Sequence, residues 1–515
     1  MLLRLPLVYV AVLGTLTGVL GTGCVRKHFF QPDARLDATS ALPPTADSVR
    51  AATAGRQYAR HGRLYHALVG RHNRRTWAAP VAVPVLRLPN ARPGGLLPGK
   101  VGGGFNSTSL TLNPPSGPAY VLRTVDKDPI RATPMWLRGT FLVNALRDNV
   151  SATHPYGSLV VPPLAAAAGV PYSSPRLVYV RPDDPAFQTD SLRLFRGQLA
   201  YLEEKAAVEA SKTLANRGST ANSTQAFAAV FASSAHRIDQ VALLRARLLD
   251  GWLGDWDRHP GQWNWAQSRP DATGTASFAP LPKDRDMVFY RLDDGALGWV
   301  VGHVLLRHWV TFGPRFRNAS ALLSSGHYLD VRGLNALTRA QFKAVALAMQ
   351  RQLPDTLINR AVRRLPPAAY SLEGPRLTAA LQSRRAELPA LADGLYRELA
   401  RKPAVGGTAQ AERFEVHRYA DSTVVTVQAR TSAGSKGFTY RRSFLPAETR
   451  LIQLEGLGGD DEFVVENHAA QPVSRPQVRI YGGPGTDALP SAKAGIHTSQ
   501  DGARSKKAYD EPPKD

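Results

Sequence analysis

The sequence predicts an α+β protein: a β-rich first lobe and a mainly helical second lobe, followed by a separate β-rich C-terminal domain. Three observations carry this. Short β-prone runs dominate from Val81 to Thr124. Apolar residues recur at three- and four-residue spacing from Ile238 to Trp252, and helical patterns return across roughly 318–402. From Glu412 the period falls back to two, as in RFEVHRYADSTVVTVQAR.

The bulk properties bound the problem. A chain of 515 residues implies about two to four domains. With 43% hydrophobic and 20% charged residues it is not a disordered chain. The formal net charge of +23 favours anionic partners. The basic residues are scattered, however, and do not alternate with exposed aromatics, which argues against nucleic acid as the partner. Cys24 is the single cysteine, so no intrachain disulfide forms.

Taken in order, residues 1–24 read as a secretory signal: a basic Arg4, an apolar stretch Leu5–Leu20, then small residues before Cys24. Residues 25–75 are a tether and an N-terminal helix over 46–70, capped by Asp47 or Ser48. Residues 76–205 form the first lobe. Its strands PVAVPVLRL, STSLTL and AYVLRTV flank a turn with Gly102, Gly103 and Gly104 in a row, which reads either as a flexible hairpin tip or as a place where a missing Cβ lets backbone approach a ligand. Helices over 134–150, with Pro134 in the first turn, and over 157–168 precede strands at 176–180 and 198–204. Residues 206–405 form the second lobe. It comprises a polar loop at 207–225, a helix at 235–253, a hairpin made by QWNWAQ and ASFAPLPKDRDMVFY, and the helical region. The β-rich domain covers 409–490, and a polar, disordered tail covers 491–515.

The stretch GDWDRHPGQWNW, Gly254–Trp265, concentrates polar and aromatic groups just after the helix at 235–253. Phosphoryl transfer needs a carboxylate to orient the attacking hydroxyl and an amide or carboxylate to hold a metal near the phosphates; in protein kinases these are an Asp and an Asn five residues apart in a loop after a helix. Asp257 and Gln262 have that spacing. A second metal ligand should arrive after a short hairpin, where the Asp pair Asp284 and Asp286 is placed, and in a strand the two would share a face. Arg123, in the strand after the Gly-rich turn, and Lys127, just past it, can reach phosphates. Backbone near Glu203 and Glu204 can act as a hinge against a nucleotide base. Asp148 is the candidate acidic partner for Arg123. The competing reading makes the stretch structural: Asp257 and Arg258 form a buried ion pair, His259 caps the helix end, and the tryptophans pack.

The D-R-H-x-x-N pattern, with Asp257, Arg258 and His259 matching and Gln262 in the Asn place, resembles the catalytic loop of atypical kinases of the lipid-kinase and spore-coat-kinase type. LLDGWLGDWDRHPGQWNWA, PLPKDRDMVF, YVLRTVDKDP and HPYGSLVVPPLAAAAGV resemble a domain of bacterial envelope proteins. There it is elsewhere fused to a calcineurin-like phosphoesterase and an outer-membrane β-barrel. The resemblance covers roughly 55–490 and implies a two-lobed kinase-like fold in the cell envelope. It also implies a divalent ion (Mg2+ or Mn2+), ATP or another phosphate donor, and a protein or lipid-linked acceptor. The N-terminus resembles a lipoprotein signal, with Cys24 lipidated and the chain membrane-anchored.

Two smaller motifs lie in the C-terminal domain. GGPGTDAL at 482–489 fits a calcium-binding nonapeptide form, with Asp487 as the ligand. GGDDEF at 458–463 resembles a cyclase signature with an extra Asp, and reads as a strand–turn element. Two functional readings follow. One is an envelope-anchored kinase-like enzyme. The other is a non-catalytic lipoprotein scaffold that keeps the fold as a binding surface. They differ in whether Asp257, Gln262 and Asp286 converge on one ion-sized site.

Overall fold

The computed structural model describes residues 26, 28–37, 49–102, 108–131, 133–205, 217–272, 274–305, 311–318, 321, 324–430, 440–491 and 495–500. Cys24, Gly103, Gly104, Asp47 and Ser48 lie outside these residues.

The first region is built on an antiparallel five-stranded sheet. Its order is β3 (Leu97–Gly102), β4 (Ser109–Asn113), β5 (Tyr120–Thr124), β7 (Leu199–Glu204) and β6 (Arg176–Tyr179). Alternation in β4 turns Leu110 and Leu112 into a core shared with Leu122, Leu202, Phe187 and Phe195. The expected helix over 46–70 is instead β1 (Val49–Ala52), a 3-10 turn at Arg56–Ala59 and a short helix at Arg63–Leu68. β1 pairs with β2 (Val81–Pro84). Gly55 and Gly62 break the helical pattern, and at Gly55 a Cβ would strike the Tyr58 ring. The helix expected at 134–150 is regular only over Leu142–Asn149.

The second region centres on the helix Gln240–Leu253. Asp239 caps its start, accepting the Ala242 N–H at 3.0 Å, and Gly254 ends it in the left-handed conformation at φ 73°. Every residue from Leu248 to Leu253 is buried, and the Trp252 Nε1 donates to the Leu381 carbonyl at 3.1 Å. Beside it lies a sheet ordered β8 (Arg217–Asn222), β10 (Trp263–Ser268), β11 (Ala276–Pro282) and β9 (His236–Ile238).

Part of this sheet was unexpected. From residue 217 the segment read as a polar loop is edge strand β8 and then a helix at Ser223–Ala232, started by a reciprocal Asn222–Gln225 capping box. A solvated edge strand needs no apolar alternation, which is why RGSTAN carries none. The helices between His327 and Ala400 complete this region as expected.

The C-terminal region contains two four-stranded sheets. β12 (Ala404–Gly406), β16 (Leu451–Glu455), β18 (Gln477–Tyr481) and β19 (Ile496–Ser499) run parallel. β15 (Tyr440–Phe444), β14 (Thr423–Ala429), β13 (Glu412–Arg418) and β17 (Glu462–Asn467) form the other sheet. β19 falls where a disordered tail was expected, because it adds a fourth parallel strand and buries Ile496. A buried Arg332–Glu455 ion pair ties this region to the helices.

Candidate functional site

The hairpin β10–β11 pairs Trp263 with Pro282, and the Lys283 N–H donates to the Gln262 carbonyl at 2.9 Å. This register places the loop 254–262 and the segment 283–286 at one end of the hairpin. Arg258 fastens them together. It is fully buried, lies 4.5 Å over the Trp263 ring, and donates to the carbonyls of Lys283 at 2.7 Å and Gln262 at 3.2 Å. Its carboxylate partners are Asp250 at 3.3 Å and Asp255 at 3.7 Å. The structural reading had paired it with Asp257; that pairing is absent. Nor does His259 cap the long helix. Its ring accepts the Gly261 N–H at 3.1 Å and starts the next 3-10 turn.

β11 ends at Pro282, so Asp284 and Asp286 do not lie in a strand as expected; Asp284 sits at φ 50°. Their side chains nevertheless turn away from that of Arg285. Arg285 reaches Asp250 at 2.5 Å, whereas Asp284 binds Arg123 at 2.7 Å and Asp286 binds Lys127. Arg123 also meets Glu203 at 3.3 Å, two residues along β7 from its cross-strand neighbour Tyr201. Asp284 and Glu203, not Asp148, are therefore the acidic partners of Arg123. Asp148 is taken by Arg74 at 2.6 Å, His61 at 2.9 Å and Tyr65 at 2.8 Å.

The charges are strongly coupled. Burial pushes the Asp286 carboxyl up, and the neighbouring Asp284 charge adds to this; against the pull of Lys127 it stands at about 6, with Asp257 contributing to the rise. Burial also opposes ionisation of Asp284, but Arg123 and Lys127 outweigh it and hold that carboxyl at about 2. Burial would lower both cations. Asp284 and Glu203 overcome this for Arg123, and Asp286 and Asp284 for Lys127, so both are raised.

Asp257 is half-buried, with no hydrogen bond or ion pair among the described residues. Gln262 is half-buried as well. Asp257, Asp284 and Asp286 do not bring three carboxylate oxygens within 4.8 Å of one another. Two basic side chains neutralise the D-x-D pair instead.

Above these pairs, between the five-stranded sheet and the hairpin, lies a cleft of about 390 Å³ lined by Lys100, Gly102, Arg123, Glu204, Lys283 and Asp284 among others. A pocket of about 50 Å³ adjoins it, reaching Tyr201 and Asp286. Lysine and arginine on opposite walls suit an anionic ligand, and the volume is within the range of small-molecule clefts. Sequence reasoning missed Asp250, Asp255, Arg247 and Asp330, the buried charged group under the loop. A partial signal was Arg247, Asp250 and Asp255 standing within one helix–loop segment; Asp330 comes from the separate helix His327–Gly333.

In the C-terminal region, Asp487 Oδ1 accepts the Asp461 N–H at 3.0 Å and its Oδ2 accepts from Gln500 at 2.6 Å. Asp461 in turn accepts the Glu412 N–H at 2.8 Å. The carboxylates of GGDDEF and GGPGTDAL thus staple successive turns together, and GGDDEF leads into β17 as a strand–turn element.

No family model and no curated relative matches this sequence. Among solved structures, the chain is similar to the crystal structure of a Helicobacter pylori proinflammatory kinase, CtkA. The identity is 13%, the match covers 58% of this chain and 95% of that chain, and the TM-score is 0.31.

Proposed function

We propose that this protein is an envelope-anchored, atypical kinase-like phosphotransferase that binds a phosphate donor such as ATP in the cleft beside Arg123 and Asp284. The observation that carries this reading is the meeting of Arg123, Lys127 and Glu203 with Asp284 and Asp286, next to an unengaged Asp257. Arg123 and Lys127 hold the donor phosphates, Glu203 orients Arg123, and Gly102 with its neighbours Gly103 and Gly104 covers the phosphates. Backbone at Glu203 and Glu204 borders the nucleotide base. Asp257 orients the acceptor hydroxyl and takes its proton as the oxygen bonds to phosphorus and the donor's leaving phosphate departs.

Hard oxygen donors suit Mg2+ or Mn2+, and Asp286, Asp284 and Gln262 would hold the ion. When bound, it offsets phosphate charge. The acceptor is a protein or a lipid-linked hydroxyl, and Cys24 carries the lipid anchor that places the chain at the membrane. Calcium at Asp487 would displace the Gln500 amide.

The test is phosphoryl transfer from labelled ATP with Mg2+ or Mn2+ to added protein and to lipid-linked hydroxyls. Transfer should be lost in Asp257→Asn with nucleotide binding retained. Equal transfer by wild type and Asp257→Asn would overturn the assignment.

A second reading has its own support. The Asp284–Arg123 and Asp286–Lys127 pairs neutralise the carboxylates without any ion, as a non-catalytic scaffold would need. That reading expects no transfer and no nucleotide binding.

A further inference from the structure

β13 and β17 pair in parallel with His417 beside Glu466. β13 buries Phe414, Val416 and Arg418, so alternation turns His417 to the outer face. Glu466 and His468 are two residues apart and share that face. The His468 N–H donates to the Arg418 carbonyl at 2.8 Å, which carries the ladder past the end of β17 and fixes the backbone of His468. Three donor atoms from two strands meet as a result. His417 Nδ1 lies 3.0 Å from His468 Nε2 and 3.2 Å from Glu466 Oε2, and His468 Nε2 lies 3.4 Å from Glu466 Oε2. The Tyr419 ring stacks on His468 at 4.9 Å and 16°, holding the imidazole plane.

Protons alone serve this triangle poorly. If both ring nitrogens donate to Glu466, two N–H groups confront each other along the 3.0 Å edge. If one nitrogen is bare, the other ring's N–H can bridge the 3.0 Å edge, but the bare nitrogen then stands 3.2–3.4 Å from the Glu466 oxygen with no proton between them. A cation at the centre of the face satisfies all three atoms at once. The lengths fit as well: zinc bonds of about 2.0–2.1 Å at tetrahedral angles give ligand–ligand edges of roughly 3.3–3.4 Å.

We propose that His417, Glu466 and His468 form a binding site for a divalent transition metal of the zinc class. Imidazole nitrogens with one carboxylate suit zinc, copper or nickel better than magnesium or calcium. Glu466 and His468 are largely exposed, which leaves the fourth coordination position open to water or to a donor from a partner. Among the described residues this is the group of three His, Cys, Asp or Glu side chains whose ligand atoms all lie within 4.8 Å of one another. It is on the C-terminal domain, apart from Asp286 and its cleft.

The experiment is titration of the full chain with Zn2+ by calorimetry, paired with Co2+ absorption. One Zn2+ per chain is expected, with intense visible Co2+ bands of a four-coordinate, nitrogen-ligated site. Both signals should be lost in His417→Ala and in His468→Ala and weakened in Glu466→Gln. These are surface side chains, so the metal-free variants should melt as the wild type does. Zn2+ binding that persists in both histidine variants, or a wild type that binds neither ion at micromolar concentration, would overturn the site.

Discussion

At the scale of single residues, Arg258 and Asp257 are neighbours with opposite lives. Arg258 is buried among Asp250, Asp255 and two carbonyls, so Arg258→Ala strips one cation from both buried carboxylates, leaving Asp255 to Arg285 and Asp250 to Arg247 and Arg285, and removes the donor to both carbonyls. Removing one partner of such a group costs roughly 3–5 kcal/mol, and a lower urea midpoint with unchanged slope would report it. Arg258→Lys should not rescue the loss, because one ammonium cannot reach Asp250, Asp255 and two carbonyls at once. Asp257→Asn should leave the midpoint within about 0.5 kcal/mol of wild type, as a change at a side chain with no described partner does.

Asp286 gives a pH test. Its folded value of about 6 lies above the unfolded value of roughly 3.9, so the folded state holds that proton more tightly. Its contribution therefore favours folding below about pH 4 and is lost as pH rises through about 6. The stability difference between wild type and Asp286→Asn, followed from pH 4 to 7, should move against the wild type; a flat difference would mean that Asp286 is not raised. Asp286→Ala should destabilise the protein, because it strips the ion pair from the buried Lys127.

At the scale of elements, Arg123 on β5 and Glu203 on β7 act as one unit across a strand pair. Single substitutions Arg123→Ala and Glu203→Ala should each weaken nucleotide binding, and the double variant should lose less than the sum of the two. A coupling energy of about 0.5–3 kcal/mol in the cycle is the expected reading, and strict additivity would show that Glu203 does not position Arg123.

The elements that build this site were legible in the sequence for a physical reason. The helix at Gln240–Leu253 and the hairpin β10–β11 bury faces whose apolar period is unmistakable. Glu203 was legible as a residue but not as a partner, because a cross-strand diagonal depends on register, which no local pattern states. β8 and the helix at Ser223–Ala232 were hidden by polar composition, although the Asn222–Gln225 capping box was written there. The expected N-terminal helix failed because Val49–Ala52 pairs as a strand, Gly55 packs against the Tyr58 ring, and Gly62 is the N-cap of only a short helix from Arg63. The charged group under the loop was invisible because its members come from three separate segments.

At the scale of the whole molecule, the buried Arg332–Glu455 pair, with the Asn335 amide donating to the Ala404 carbonyl at 2.9 Å, welds the C-terminal sheets to the helical region. The proposed attachment to a membrane rests on Cys24. Labelling with a fatty-acid analogue should mark the wild type and not Cys24→Ala, and equal labelling would remove the lipid anchor from the account. The proposed metal–nucleotide site is the cleft over Arg123, Lys127, Asp284 and Asp286. The direct measurement is a thermal-shift titration of the full chain with ATP and other nucleotides, with Mg2+ or Mn2+ and without. The account predicts a metal-dependent stabilisation, about 2.7 kcal/mol at a hundredfold excess over Kd, that disappears in Asp286→Asn. A melting temperature unmoved by every nucleotide with either ion would contradict it.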